Sequence, residues 1–177
     1  MKMARIAGMD YAETTDAMTA ALRGFNMEIN ETSAQHINDV YSELAAITAS
    51  DTAEISTAMS KTASIADSAG LDFDTASMYL AKAIETTREA PENIGTAMKT
   101  IVARYAALTK DPSTLSQEIQ DALEGESVDY NQVTKALSSV GVQTIDAEGQ
   151  FRDLGDVLLE LNQRWDTLSG TQQHYIA

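Results

Sequence analysis

Residues 49–70 read ASDTAEISTAMSKTASIADSAG, and this stretch contains every signal of a single amphipathic helix. Asp51 and Glu54 have the spacing of a capping box, in which each side chain accepts a hydrogen bond from the other residue's backbone N–H. Gly70 offers a left-handed residue that ends the helix. The helical face between these signals places Ile55, Met59, Thr62 and Ala66 inward. The stretch therefore predicts one helix and a helical fold class.

The same design, a cap followed by a helical face, recurs on both sides. It predicts a helix at residues 11–25, and a second helix that opens with a capping box of Thr32 and Gln35. A third helix begins at Asp72 or Asp74, since either carboxylate can cap it. The residues expected to face inward in these three helices are Ala17, Met18, Ala21, Leu22, Ile37, Val40, Tyr41, Leu44, Ile47, Met78, Ala81 and Ile84.

Two prolines mark further helix starts. Pro91 and Pro112 stand in predicted first turns, where the N–H that proline lacks would have no partner. The stretch around the first, ETTREAPENIGTAMKTI at residues 85–101, also contains Gly-x-x-x-Lys-Thr and raises the alternative of a phosphate loop. A Walker loop needs a glycine directly before the lysine and a strand before the loop, whereas Met98 holds the glycine's place here. We expect a helix with Gly95 at a close helix contact. Its expected inward residues are Ile94, Met98, Ile101, Val102 and Tyr105.

Beyond Gly125 the pattern changes. A short helix is predicted with Asp129 and Gln132 as its capping box and Gly141 as its stop. Alternating residues around Asp-Ala-Glu-Gly then predict a short β-hairpin near residues 142–152, with Gly149 at positive φ. The last helix is strongly amphipathic, with Leu154, Val157, Leu158, Leu161, Trp165 and Leu168 on one face.

These segments predict a mainly α protein, a compact stack of about seven antiparallel helices and helical hairpins with one short β-hairpin. Residues 1–125 are expected to form a helical hairpin module, and residues 126–177 to pack on it as part of one folded unit. Helices that end at glycine before an apolar residue recur at spacings of 46 and 71 residues, which favours a recurring helical hairpin over a regular solenoid. The apolar start and the unfinished last helix predict a segment of a longer chain.

Composition limits the partners. The chain has 27 acidic and 12 basic residues, a net charge of −15, which opposes binding to nucleic acid and to anionic lipid surfaces. There is no cysteine, which excludes disulfides and thiolate metal sites. No apolar run approaches the length of a membrane span, and the first residues are too polar for a signal peptide. We expect no nucleic-acid partner and no stable membrane span in this segment.

The residues that could carry chemistry form no catalytic or metal-binding pattern. His36 and His174 are the two histidines, and neither has the spacing of a metal site or a visible triad partner. We therefore predict no catalytic, cofactor-binding or metal-binding residue, no cofactor and no enzymatic activity. Trp165 with Tyr175 is interpreted as core, with an exposed partner anchor as the alternative. Core packing is likewise preferred over a binding groove for Met18, Met59, Met78 and Met98.

Three stretches in order resemble one known family. They are GFNMEINETSAQHINDVYSELAAITASDTAEISTAMSKTASIADSAG, ETTREAPENIGTAMKTIVARY and DAEGQFRDLGDVLLELNQRWDTLSGTQQHYIA. Together they are similar to the core region of phage tail tape measure proteins from phages and prophages of Gram-positive bacteria. The resemblance extends over nearly the whole chain.

The resemblance implies a structural segment of a tape measure protein, a long helical molecule around which the tail tube polymerises. It implies roles in tail tube assembly, tail length determination and genome ejection. The implied partners are the tail tube protein, tail assembly chaperones and baseplate or tail-tip proteins. Self-association is a further alternative, apart from the resemblance. The implied location is the lumen of the virion tail, and the host bacterial cytoplasm during assembly. The alternative is a helical protein-binding adaptor or effector module without catalytic activity.

Overall fold

The computed structural model describes residues 10–109, 115–123 and 130–176, and within these ranges the protein is built from α-helices. They are α1 (Tyr11–Gly24), α2 (Glu31–Ile47), α3 (Thr52–Ala66), α4 (Phe73–Thr87), α5 (Pro91–Thr109), α6 (Gln117–Ala122), α7 (Tyr130–Ser139), α8 (Leu154–Trp165) and α9 (Gly170–Ile176). A 3₁₀ turn, Asp67–Ala69, extends α3. The mainly α fold is confirmed. The expected number of about seven helices is not, since nine lie within the described ranges.

Local signals set most of the predicted helix ends. At the start of α3 the Glu54 N–H donates to Asp51 Oδ1 at 2.8 Å and the Asp51 N–H donates to Glu54 Oε2 at 2.9 Å, which is the predicted capping box. Pro91 is the first residue of α5. Gly70, after the 3₁₀ turn, has a φ of 79° as expected of a helix stop. Asp72 is the cap of α4, because its side chain accepts the first-turn backbone hydrogen bond at 2.9 Å.

α2 begins earlier than predicted. Asn30 is the N-cap and accepts a hydrogen bond from the Ser33 N–H at 2.8 Å, so the expected capping box at Thr32 is wrong. Asn and Thr both cap helices, and the sequence offers the two within three positions, so the pattern alone does not rank them. The helix starts predicted at Pro112 and Asp129 lie outside the described residues.

Residues 142–152 form a loop, and the predicted β-hairpin is wrong. One antiparallel bridge joins Ile145 and Phe151, and no strand occurs in the part of the chain that the structure describes. The Asp146 side chain accepts two backbone hydrogen bonds within the loop, at 3.0 and 2.8 Å, and Gly149 has the expected positive φ of 80°. Because the turn satisfies its own backbone through this side chain, the flanking residues do not extend into a ladder.

The first four helices form two hairpins that lie side by side in the same orientation. α1 packs along α3 with Gly24 against Ala63, and just beyond these positions Asn26 Nδ2 donates to Asp67 Oδ2 at 3.0 Å. From the first contact to the second, the residue number increases in both helices, so α1 and α3 run parallel. α2 leads from the end of α1 back to the start of α3 and therefore runs in the opposite direction.

α2 and α4 are also parallel to each other, because contacts join both their starts and their ends. His36 Nε2 and Asp74 Oδ1 lie 2.7 Å apart near the two helix starts. Just past the two helix ends, Arg88 Nη1 donates to the Ala49 carbonyl at 2.7 Å. Among α1 to α4, helices that follow one another in the chain thus run antiparallel, whereas equivalent helices of the two hairpins run parallel.

α5 is the third helix of this parallel series. The Thr62 hydroxyl, in α3, donates to the Gly95 carbonyl of α5 at 2.9 Å. Further along, α5 contacts the 3₁₀ turn that follows α3, and Tyr105 and Gly70 both contact residues 152–153. The beginning of α5 therefore lies beside the middle of α3, and its later turns lie beside the end of α3. We refer to α1, α3 and α5 as the parallel layer.

A sequence repeat accounts for the parallel layer. Its three helices begin with DYAETTDAM (residues 10–18), DTAEISTAM (residues 51–59) and APENIGTAM (residues 90–98), which start 41 and 39 residues apart. Asp10 and Glu13 form the same capping box at α1 as the equivalent pair does at α3. A recurring helical hairpin is present, but it does not follow the glycine stops from which the sequence predicted it. Its register follows this capping motif and has a period of about 40 residues, which is typical of stacked helical repeats.

Small side chains bring the layer together. A Cβ on Gly24 would lie 2.3 Å from the Ala63 carbonyl oxygen, and a Cβ on Gly95 would lie 2.3 Å from the Ala58 carbonyl oxygen. The close helix contact predicted at Gly95 is therefore confirmed. α3 lies between the other two helices and is buried on most of its circumference, at Thr52, Ile55, Ser56, Ala58, Met59, Thr62, Ala63, Ile65 and Ala66.

Most predicted inward residues are buried, but three are exposed. Ile47, Met78 and Ile101 have exposed fractions of 71%, 44% and 47%. Each follows the helical period of its neighbours, yet only part of that wide stripe meets another helix, because α2, α4 and α5 are covered incompletely. The predicted residues that are buried are Ala17, Ala21, Leu22, Ile37, Tyr41, Ile55, Met59, Thr62, Ala66, Ala81, Ile84, Ile94, Met98, Val102, Tyr105, Leu154 and Val157.

Candidate functional site

Polar contacts tie the start of α8 to the helices before it. The Tyr105 hydroxyl donates to the Arg152 carbonyl, and the Tyr79 hydroxyl donates to the Gly155 carbonyl at 3.3 Å. Burial raises the pKa of Tyr105 to about 12, and burial also raises the pKa of Tyr79 above its usual value. Both hydroxyls therefore stay protonated and keep their donor role near neutral pH. They fix the point at which α8 leaves the 142–152 loop.

An ion-pair network lies next to this anchor. Arg152 Nη1 is 2.5 Å from Glu160 Oε2, and Arg164 Nη2 is 3.0 Å from Glu160 Oε1. Arg152 Nη1 also donates to the Gln143 carbonyl at 2.8 Å, so one guanidinium joins both sides of the loop to α8. The hydrogen bond from Arg152 lowers the pKa of Glu160 below its usual value, with a smaller contribution from Arg164. The carboxylate is therefore ionised and paired near neutral pH.

Arg164 extends the same network to the end of α7. A Cβ on Gly141, which has a φ of 82°, would lie 2.9 Å from Arg164 Nη1, so the guanidinium rests against the residue that ends this helix. A cation near the last carbonyls of a helix is favourable. Sequence reasoning did not single out these residues. Glu160 and Arg164 are four residues apart on one helix, and this spacing predicts an ion pair between them.

This arrangement joins the 142–152 loop and the end of α7 to α8, and it holds Glu160 as a paired carboxylate. General acid catalysis needs a carboxyl group whose pKa is raised toward neutrality, and the pKa of Glu160 moves in the other direction. An open cleft of about 520 Å³ beside it has a lining of Arg152, Asp156, Leu159, Glu160, Gln163 and Arg164, three of which pair with one another. The cleft is therefore part of the ion-pair network.

The other residues considered for chemistry are spread over the molecule. His36 is exposed and contacts Asp74, and the side chain of His174 lies outside the described part of the chain. Across the described ranges, no group of three or more His, Asp or Glu side chains could hold a metal ion. No helix in those ranges combines the length and the apolar composition that crossing a bilayer requires.

The phosphate-loop alternative at residues 85–101 does not fit the structure. Gly95 lies inside α5, where its carbonyl accepts a hydrogen bond from Thr62 and its Cα faces the α3 backbone. A phosphate loop presents glycine backbone N–H groups to the ligand ahead of the helix. The glycine here faces another helix, so its role is packing.

The aromatic and methionine residues are divided between core and surface. Trp165 is half-buried on α8, and the side chain of Tyr175 is outside the described residues. Met59 and Met98 are buried, and Met18 packs against the core while partly exposed. Met78 is exposed on the surface of α4, so the core position predicted for it is wrong.

The fold and this site define an all-α protein of helical hairpins whose polar groups serve as caps and ion pairs between helices. The chain belongs to the family described as phage-related minor tail protein, which matches residues 1–177. It is also 25% identical over 161 residues to a tape measure protein of Pneumococcus phage Dp-1. That match covers 91% of this chain and 12% of the relative, so the chain spans a small part of the relative's length. No solved structure matches the chain.

These matches confirm the resemblance to a phage tail protein family. The family indicates a structural role in the phage tail and a location in the virion tail.

Proposed function

We propose that this chain is a folded segment of a tail tape measure protein, acting in tail tube assembly, tail length determination and genome ejection. The observation that carries the proposal is the family match over residues 1–177, together with the similarity to the pneumococcal phage tape measure protein. The proposed role is non-catalytic, which the match to a family of phage tail proteins supports. The two parts, residues 1–125 and 126–177, act in this proposal as one unit joined through the contacts of Tyr79 and Tyr105 with the α8 start.

The proposed partners are the tail tube protein, tail assembly chaperones and baseplate or tail-tip proteins. The proposed location is the tail lumen in the virion and the bacterial cytoplasm during assembly. A net charge of −15 supports a role beside DNA, because an acidic protein in the path of the genome repels it and does not retain it during ejection.

Within a tape measure protein, this segment acts in our proposal as a compact module and not as the measuring rod. A continuous helix of 177 residues would span about 265 Å at 1.5 Å per residue. The described helices are much shorter, and the longest of them, α5, has 19 residues. Folding them side by side shortens the segment to a fraction of the rod length.

The test is an in-frame deletion of the segment in the phage or prophage that encodes it, with tail lengths measured by electron microscopy. We expect either a loss of assembled tails or tails shortened by clearly less than about 265 Å, the length of an equivalent rod. A matched deletion of equal length in a neighbouring region of continuous helix gives the full rod shortening as a control. Tails of normal length with normal ejection of DNA would contradict the proposal.

A helical adaptor module is the second candidate function. Stacked helical hairpins form extended surfaces that bind other proteins, and the period of about 40 residues in this chain supports that comparison. The same deletion separates the two: an adaptor from outside the tail leaves tail length and tail assembly unchanged.

A further inference from the structure

The parallel layer has a defined receiving face on each helix. On α3 this face consists of the residues that meet α5: a Cβ on Gly95 would lie 2.3 Å from the Ala58 carbonyl oxygen and 2.9 Å from Lys61 Cβ, and Thr62 donates to the Gly95 carbonyl. Gly95 permits this approach because it has no side chain. The receiving face of α3 is therefore Ala58, Lys61 and Thr62.

The repeat identifies the equivalent face on α1. Residues 41 positions earlier are Ala17, Ala20 and Ala21. Ala17 and Ala21 are buried, and Ala20 lines a cleft between α1 and α3, opposite Ser60 and its neighbours. On α1 as on α3, the next helix of the layer covers this face.

The equivalent face on α5 is uncovered in the described residues. Residues 39 positions after those of α3 are Ala97, Thr100 and Ile101. Ala97 is exposed, Thr100 is partly exposed, and Ile101 exposes 47% of its surface. α5 thus presents an apolar receiving face in the same register in which α1 and α3 each receive a parallel helix.

We propose that this face of α5 binds α1 of a second copy of this chain. α1 begins with the same capping box as α3, and its sequence aligns with those of α3 and α5, so its turns have the register of a helix of the parallel layer. On its outer side, Ala12 is exposed and Thr19 is half-exposed, and Thr19 is the equivalent of Ser60, which lines the contact between α1 and α3. Thr15 stands at the α1 position equivalent to Gly95, so the two helices meet at a wider spacing than α3 and α5 do.

Charge favours the same occupant. α1 with its cap has three acidic residues, Asp10, Glu13 and Asp16, and one basic residue. α5 has two basic residues, Lys99 and Arg104, and one acidic residue. The two edges of the parallel layer are thus of opposite sign within a chain that is strongly acidic overall, and opposite potentials promote association in one orientation.

The contact uses two different surfaces, the α5 edge of one copy and the α1 edge of the next. Such a head-to-tail interface leaves one edge free at each end of any complex, so association continues beyond the dimer unless the geometry closes a ring. This inference concerns the isolated chain and does not depend on the proposed role in the tail.

Sedimentation velocity of the full chain over a wide concentration range tests it. We expect a concentration-dependent shift to species larger than a dimer. Ile101→Glu places a carboxylate in the α5 edge and should weaken association by about tenfold or more, because a charge buried without a partner opposes binding. Met78→Glu, an equally exposed apolar residue of α4, is the matched control and should leave association unchanged.

A mixing experiment separates this interface from any symmetric dimer. Thr19→Arg blocks the α1 edge with a bulky cation, and Ile101→Glu blocks the α5 edge, so each variant alone should remain monomeric at concentrations at which the wild type first associates. An equal mixture should form a one-to-one heterodimer and nothing larger, because one functional edge of each kind remains. A monomeric wild-type chain at every concentration overturns the proposal. Equal effects of Ile101→Glu and Met78→Glu, or no heterodimer from the mixture, do so as well.

Discussion

Tyr41 is fully buried and packs its ring 5.4 Å from that of Phe73, and its hydroxyl has no hydrogen-bond partner among the described residues. Burial raises its pKa above the usual value. A buried polar group without a partner lowers stability by its desolvation cost, whereas the ring itself contributes to packing. At this position the aromatic ring therefore stabilises the folded protein, whereas the buried hydroxyl destabilises it.

Tyr41→Phe should therefore raise the free energy of unfolding by about 1–2 kcal/mol, measured by urea titration at neutral pH. The gain should grow above pH of about 10, because the unfolded wild type ionises this hydroxyl while the folded protein keeps it protonated, so wild-type stability falls as pH rises. Tyr105→Phe is the control and should lower stability, since the Tyr105 hydroxyl has a partner in the Arg152 carbonyl. A loss of stability in Tyr41→Phe would contradict the assignment.

Gly95 illustrates the opposite case, a residue whose lack of a side chain is required. In an open helix position, alanine is more stable than glycine by roughly 1 kcal/mol. Here the added Cβ would lie 2.3 Å from a backbone oxygen of α3, and a backbone atom cannot yield as a flexible side chain does. Gly95→Ala should lower the free energy of unfolding by about 1–3 kcal/mol, seen as a lower midpoint in thermal unfolding.

Gly170→Ala is the matched control, because no atom lies within 4 Å of the Cβ it would add. It should leave the midpoint unchanged or raise it slightly. If both alanine variants stabilise the protein, the close contact between α3 and α5 is not a requirement of the fold.

At the scale of the elements, helix ends were the most predictable feature and helix faces were less so. Asp51, Pro91 and Gly70 act through groups within one turn, so the sequence contains all that decides their effect. Ile47 and Ile101 depend on which neighbour covers each side of a helix, and this is set by residues distant in the chain. The pair of Arg152 with Glu160 was missed because Arg152 reaches Glu160 from a loop, whereas the spacing of Glu160 and Arg164 on one helix does predict their pair.

The ion-pair network of α8 makes a prediction about pH. The pKa of Glu160 is lowered by Arg152 and then by Arg164, so the stability it contributes is present at neutral pH and is lost as pH falls below about 4.5 and through the folded-state pKa. Glu160→Gln should remove about 0.5–1.5 kcal/mol at neutral pH and abolish this part of the acid transition.

Trp165, the single tryptophan, lies at the end of α8 and reports on it. Its fluorescence should change earlier on acidification in the wild type than the circular dichroism of the whole chain, because α8 loses its ion pairs before the parallel layer unfolds. Glu148→Gln, an exposed residue of the 142–152 loop, serves as the control for removal of one carboxylate. Identical acid transitions in the two variants would show that the network does not hold α8.

At the scale of the whole molecule, the repeat of the parallel layer was visible in the sequence but was sought at the wrong feature. Glycine stops vary with each loop, because any left-handed residue ends a helix wherever the loop requires it. The capping motif is tied to the helix start and to its buried face, so Asp10 and Asp51 mark the register that Gly24 and Gly70 do not. The absence of strands at residues 142–152 could not be deduced from the sequence. Alternating apolar and polar residues around a tight turn occur both in a β-hairpin and in a loop without strands.

Net charge gives the last prediction. The chain carries −15, and between residues 10 and 60 there are nine acidic residues against one basic residue, so α1 and α2 form a strongly acidic side. Like charges held in a compact fold repel, and salt screens exposed charges over a Debye length of about 10 Å at 0.1 M. The midpoint of thermal unfolding should rise by several degrees, about 2–4 °C per kcal/mol at this chain length, as sodium chloride is raised from low to moderate concentration.

A triple variant of α2, Glu31→Gln, Asp39→Asn and Glu43→Gln, reduces the net charge of the chain from −15 to −12. It should raise the midpoint at low salt and make the midpoint depend less on salt. A midpoint that falls with added salt would show that attractive ion pairs such as those of Glu160, and not self-repulsion, dominate the electrostatics of the fold.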